Sequence, residues 1–322
     1  MYVAGASEST MGPIVTMDAS GHATVTRAEP SDWHEPAFSP DGSKLAVTIG
    51  SGPSADIWIY EAERDLTKFT FSPTEDQTPV WSPDGRRIAF SSDRDNPRGI
   101  DNLYWQRSSG TGPVERLTTS THHQRFGSFH PSGRFLAFTE GGREQTDNDI
   151  MILPIEGNDQ TGYKPGKAYA FVSTPANEMM PDFSPDGRWL AYMSSESGTM
   201  EVYVRPFPSG DGKWKVSAGG GAFPLWSSSA RDLFYVAAKN PLTTVMKVSY
   251  DIDGDSFRAG KPAVWASQPI VWNGPNRPYA VAPDGQHVIV KPAPAQAAER
   301  SGRVQLVLNF LDELRRTMTP QK

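Results

Sequence analysis

Phe38-Ser39-Pro40-Asp41-Gly42, Trp81-Ser82-Pro83-Asp84-Gly85 and Phe183-Ser184-Pro185-Asp186-Gly187 are three copies of one pentapeptide, and their reading decides the fold. Phe129-His130-Pro131-Ser132-Gly133 and Val281-Ala282-Pro283-Asp284-Gly285 are looser copies, and Trp226-Ser227-Ser228-Ser229-Ala230 is a degenerate sixth. The copies end at 42, 85, 133, 187, 230 and 285, giving intervals of 43, 48, 54, 43 and 55 residues, the period of four-stranded propeller blades. Three residues after each copy stands an aliphatic side chain (Leu45, Ile88, Leu136, Leu190, Leu233, Val288), and two further on an aromatic or valine (Val47, Phe90, Phe138, Tyr192, Tyr235, Val290). That alternation is a strand of period two. Proline presets φ, aspartate bonds its own backbone and glycine accepts positive φ, so each copy closes a hairpin between an innermost strand A and a strand B. The aspartates are therefore turn makers.

Working outward, third strands are expected near Asp56, Asn102, Asp149, Glu201 and Val245, and fourth strands near Leu66, Val114, Ala168, Trp214 and Ala263. The fold class is all-β: a six-bladed β-propeller of four-stranded antiparallel blades in one domain, 1–322. Blades fall near 35–72, 78–119, 126–174, 180–218 and 223–268, with a sixth from 278–311 plus 14–28. In that last blade Val304–Phe310 is expected as third strand and Ala23–Arg27 as fourth, leaving Ile14–Asp18 as a surplus strand that either displaces Val304–Phe310 or adds outside it. Closing a ring with strands from both termini removes exposed sheet edges.

Composition narrows the partners. A formal charge of −6, a pI near 5.6 and no basic stripe argue against nucleic acid. The chain has no cysteine, which excludes disulfides, thiolate metal sites and cysteine nucleophiles but fits a reducing or an oxidising compartment. No secretory signal or bilayer-spanning apolar run is legible, so the expectation is a soluble monomer, cytoplasmic as written.

Val80-Trp-Ser-Pro-Asp-Gly-Arg-Arg-Ile-Ala-Phe-Ser-Ser-Asp-Arg-Asp95, followed by Asn102-Leu-Tyr-Trp105 and Glu115-Arg-Leu-Thr118, resembles a blade of a TolB-type propeller, and the resemblance runs blade by blade over nearly the whole chain. More narrowly, Phe183–Gly198 with Glu201–Pro208, and the closing Val307–Leu314, are similar to the propeller that follows the membrane span of some bacterial serine/threonine kinases. That likeness implies ligand sensing or protein docking, and an extracytoplasmic place if the chain is part of such a kinase. No Gly-rich loop, His-Arg-Asp or Asp-Phe-Gly is present, so kinase activity is excluded.

In propeller geometry the D-to-A and B-to-C loops share one rim of the channel, opposite the repeated turns. Ligand contacts are expected there, from Trp33, Glu35, Gln77, Arg125, Asn177, Asn276 and Arg277. His34, Glu35, His123 and Glu178 are candidate ligands for a divalent metal, zinc or calcium, on the channel axis. Resembling propeller hydrolases use such a metal to activate water, which makes His34, His123 and Glu178 the catalytic candidates. The plainer reading is that these side chains bond loop backbones. Asp251-Ile-Asp-Gly-Asp255 lacks the Glu of a calcium loop, having Pro262 at its twelfth position, and reads as a turn. Two functions follow: a recognition propeller taking a small molecule or protein at the rim, or a metal-dependent hydrolase of lactones, esters or phosphotriesters.

Overall fold

The computed structural model describes residues 11–293, apart from 97, 143–145, 238–241 and 273. Within it, blade 1 comprises Trp33–Phe38, Lys44–Ile49, Asp56–Glu61 and Asp65–Lys68, and blade 2 comprises Asp76–Trp81, Arg87–Ser92, Asn102–Arg107 and Glu115–Arg116. Blade 4 repeats this plan with Glu178–Phe183, Trp189–Ser194, Glu201–Pro206 and Trp214–Lys215. Strand A of each blade lies against strand A of the next, and that of blade 6 against that of blade 1, so the ring is closed. Helix among the described residues amounts to the single 3-10 turn Gly52–Ser54.

Blades 3 and 5 account for the two longest repeat intervals. Blade 3 has Gln124–Phe129, Phe135–Gly141 and an eleven-residue third strand, Asn148–Asn158, whose far end folds back as Gly162–Pro165 before Tyr169–Val172 takes the fourth place. Blade 5 has Ala222–Trp226, Asp232–Val236 and Val245–Asp253, with an outer return at Ser256–Ala259 before Ala263–Val264. The tips of both added hairpins tie to the blade before. Arg86 and Arg87 bond Asp159 at 2.9 and 3.0 Å, and Arg188 bonds Asp255 at 3.0 Å. Arg87 is also held between the rings of Trp105 and Tyr163, 4.8 and 4.5 Å from their centres.

Blade 6 differs from the expectation in one strand. Tyr279–Val281 and His287–Val290 form its A and B strands, but Gly12–Asp18 fills the third place, with Val15 opposite Val290 and Met17 opposite Val288. Ala23–Ser31 is the fourth strand, as expected. Residues 304–310, expected in the third place, lie outside the described residues. Burial explains the assignment: a third strand is covered on both sides, and Ile14, Val15 and Met17 are fully buried, whereas Ala23–Ser31 is mostly exposed, as an outermost strand should be.

The repeated turn is built around its serine as much as its aspartate. Ser39 Oγ donates to Asp41 at 2.6 Å and accepts the Lys44 N–H at 3.0 Å, while Asp41 accepts the Ser43 N–H at 3.1 Å. Ser82 and Ser184 repeat this, and the glycines at 42, 85 and 187 have φ of 73, 69 and 73°. In the degenerate copy Ser227 Oγ alone accepts the Ser229 and Ala230 N–H groups, which keeps the hairpin without aspartate or glycine.

Apolar burial is divided among the seams. Five of six clusters of buried side chains straddle two neighbouring blades and the sixth reaches from blade 4 through blade 5 to blade 6; one joins Trp189 and Val204 of blade 4 to Trp226, Leu233 and Tyr250 of blade 5. Blades diverge from the axis, and aromatic wedges fill the widening gap: Trp226 meets Tyr250 edge-on at 4.9 Å and Trp189 meets Trp214 at 5.5 Å. Each such side chain contributes about 1.5–3 kcal/mol by leaving water.

Candidate functional site

Strand A lines the channel, and in four blades it carries the same irregularity. Glu35, Thr78, Met180 and Phe223 have positive φ, 54, 56, 54 and 55°, each directly before a proline, and the pairing with strand B slips at each place. Such a bulge re-aims a side chain and frees a carbonyl, against a cost of about 1–3 kcal/mol for the strained residue. In blade 3 the pairing slips at the same place, between Phe126 and Ser128, with Gly127 standing where these four blades have proline. A Cβ on Gly127 would lie 2.3 Å from the Pro181 carbonyl oxygen, so only glycine lets the strands approach.

On the D-to-A rim the bulges gather a polar chain from four blades. Arg125 donates to Asn276 Oδ1 at 3.4 Å, and Asn276 Nδ2 lies 3.2 Å from His34 Nδ1, to which it donates when the imidazole is neutral. The other ring nitrogen of His34 donates to the Gly50 carbonyl at 3.0 Å, and Glu35 Oε2 lies 3.5 Å from Nδ1. Glu35 in turn accepts the Thr78 N–H at 2.8 Å and the Thr48 hydroxyl at 3.1 Å. Burial opposes charge on both residues, yet each stabilises the other's ion, so the His34 pKa is raised and that of Glu35 lowered.

Beside this chain, in the seam between blades 6 and 1, opens a cavity of about 320 Å³. Trp33, His34, Asn276 and Arg277, all expected at the rim, meet there with Asp32 and Lys291, which the sequence reading does not single out. Trp33 is anchored by its indole N–H to the Pro13 carbonyl at 3.2 Å.

The remaining rim residues lie elsewhere. Gln77 donates to Asp101 Oδ2 at 3.4 Å, and His123, its side chain 60% exposed, faces the same carboxylate at 3.1 Å. Asn177 accepts from Asn148 at 2.7 Å, and buried Glu178 accepts from the Thr174 and Ser194 hydroxyls. Glu178 thus staples blade 4 to the end of blade 3, much as Glu201 holds Ser217. His34 with Glu35, His123 and Glu178 occupy three separate networks, and among the described residues no three His, Cys, Asp or Glu side chains converge as a metal would require.

Below the rim, at a waist formed by Glu35, Thr78, Met180 and Arg277, lies a small cavity of about 20 Å³. Among the described residues Glu35 Oε1 and Arg277 Nε have no hydrogen-bond partner, and a space of this size holds one water. Arg277 donates to the Pro36 carbonyl at 2.8 Å, and burial lowers its pKa against the pull of Asp182 and Glu35. Beyond this waist a funnel of about 410 Å³ opens on the turn face, walled by prolines and by aromatics such as Trp81 and Trp226. Asp182 lies at its floor. Burial raises its pKa to about 6, although the Trp226 N–H donates to it at 2.9 Å and Arg277 is near. In strand A the equivalent positions of blades 1, 2, 3 and 5 hold Ala37, Val80, Ser128 and Leu225, so a lone carboxylate in that register was the available signal. Lys291, just past the last regular strand, carries none.

Comparison with known proteins agrees with this architecture. The TolB beta propeller domain family matches residues 14–163. "Uncharacterized peptidase YuxL" of Bacillus subtilis is 29% identical over 199 residues, covering 51% of this chain and 30% of that protein. The Tol-Pal system protein TolB of Nitratidesulfovibrio vulgaris is 28% identical over 165 residues, 48% of this chain and 32% of that protein. The chain thus spans about a third of the length of either relative. The solved structure of a TolB-like protein from Agrobacterium tumefaciens superposes with a TM-score of 0.65 at 21% identity, covering 88% of this chain and 99% of that one. Blade count, repeated turn and relatives agree: the chain is a six-bladed β-propeller that is similar to TolB-type propellers.

Proposed function

We propose that this propeller is a recognition module, and that it binds its ligand or a partner's side chain at the D-to-A rim, with the cavity between blades 6 and 1 as the holding site. The observation that carries this is the chain Arg125–Asn276–His34–Glu35–Thr78, which fixes polar groups of four blades beside a concavity of about 320 Å³. Such a site, concave and part aromatic with a few oriented polar groups, is what small-ligand recognition needs. The similarity to the Tol-Pal system protein TolB supports binding as the role, and the resemblance of Phe183–Gly198 and Glu201–Pro208 to kinase-borne propellers, read from sequence alone, is the ground for a sensor as its finer form. The hydrolase reading is not favoured, because its His and carboxylate donors are engaged in three separate places.

Thermal-shift measurements against a panel of small acids, amines, aldehydes, sugars and short peptides test this. A compound that stabilises the wild type but not Asn276→Ala supports the rim. Compounds that act equally on both, and lose their effect in Trp81→Ala, would move the site to the turn-face funnel and overturn the proposal.

A further inference from the structure

Lys291 directly follows the B strand of blade 6, His287–Val290. Its carbonyl accepts the Val271 N–H at 2.8 Å, which fixes the backbone. Its stem runs past Gly12, where a Cβ would stand 3.6 Å from Lys291 Cδ, so the aliphatic part is packed and the amine is delivered to the rim cavity. There Nζ lies 5.0 Å from the centre of the Trp33 ring and 3.9 Å from Asp32 Oδ1, with the side chain 16% exposed. Asp32, His34 and Arg277 are the charged or titratable groups that share the cavity.

We propose that Lys291 is a nucleophilic amine of the rim cavity that condenses with a small aldehyde to form an imine, an inference that rests on the rim as the ligand site. The nitrogen lone pair attacks the carbonyl carbon and a C–N bond forms; a proton passes from nitrogen to oxygen, giving a carbinolamine. The C–O bond then breaks, hydroxyl and proton leave as water, and C=N remains. No oxidant or reductant takes part. Asp32 is the carboxylate placed to relay the proton, and the Trp33 ring with Pro278 and Val271 supplies an apolar wall suited to an aromatic or short-chain body.

Burial assists, since it brings the amine's pKa down to about 8 against the opposing charge of Asp32. Compared with an ordinary lysine near 10.4, that leaves roughly two-hundredfold more unprotonated amine at neutral pH.

The test treats the full chain with 4-formylbenzoate and cyanoborohydride at pH 7 and maps the reduced adducts by mass spectrometry. Lys291 should be modified at least about tenfold faster than exposed Lys261. Lys291→Arg should remove that adduct and leave the others, and Asp32→Asn should slow Lys291 alone. Modification of Lys291 no faster than Lys261 overturns the proposal. If it does so while a panel compound still distinguishes wild type from Asn276→Ala, the imine falls and rim recognition stands. Fast labelling of Lys291 with no compound sensitive to Asn276 upholds the imine and sinks the broader reading.

Discussion

At the turn-side mouth of the channel the blades do the same thing over and over. Ser39, Ser82 and Ser184 each hold an aspartate two residues on and the N–H five residues on, and the funnel they surround is walled by prolines and aromatics. At the opposite rim no two blades agree: blade 1 offers His34 and Glu35, blade 3 Arg125, blade 4 a buried Glu178, and the entry to blade 6 Asn276 and Arg277. Repetition on one face sets the fold, and divergence on the other leaves room for a site. The waist between them, where Arg277 faces Glu35 and Asp182, belongs to both.

Breaking the waist should have the largest effect. Arg277→Met removes the cation nearest Asp182 and one of those acting on Glu35, which keeps His34, and loss of one partner from a buried charge set costs about 3 kcal/mol. Equilibrium urea denaturation should show the midpoint falling accordingly, with Arg277→Met/Asp182→Leu recovering a substantial part. An unchanged midpoint would mean that the two mouths are not coupled through Arg277.

A second experiment sharpens the contrast from the turn side alone. A carboxyl whose pKa rises on folding, as that of Asp182 does to about 6, binds its proton more tightly in the native state than in the unfolded chain. Its contribution therefore favours folding below the unfolded value near 4, and that advantage is lost as pH climbs through about 6. The loss should reach about 2 kcal/mol, as partial exposure of the funnel floor screens it. In Asp182→Asn that portion of the decline between pH 4 and 6 should vanish. Parallel stability curves for variant and wild type would place the titration elsewhere.

How far each face was legible follows from the same contrast. The turn face announces itself, since a serine-proline-aspartate-glycine step has a local physical job and recurs at blade spacing. Even its degenerate copy at Trp226–Ala230 was readable by position, and Ser227 proves to do the holding. The third strand of blade 6 was not, because Gly12–Asp18 and Val304–Phe310 are both short apolar runs and pattern alone does not say which is sandwiched. At the rim, loop position identified Trp33, His34, Asn276 and Arg277. It gave no means of knowing that His123 pairs with Asp101, that Glu178 is a blade staple, or that Lys291 enters from the end of a neighbouring strand, since these depend on side-chain directions set by long-range packing.

The smallest effect on stability is expected where the effect on binding is largest. Asn276 bridges Arg125 and His34 through one long and one ordinary hydrogen bond at a half-exposed site, so Asn276→Ala should cost about 0.5–1 kcal/mol, close to the typical net value of a single bond. The substitution also frees His34 Nδ1 to turn wholly toward Glu35, which offsets part of the loss. Denaturation should therefore leave this variant nearly as stable as the wild type, while any compound held at the rim cavity loses most of its stabilising shift. A large loss of stability would instead make the rim chain part of the frame, and the division between a repeated face that folds and a divergent face proposed to bind would fail at its clearest point.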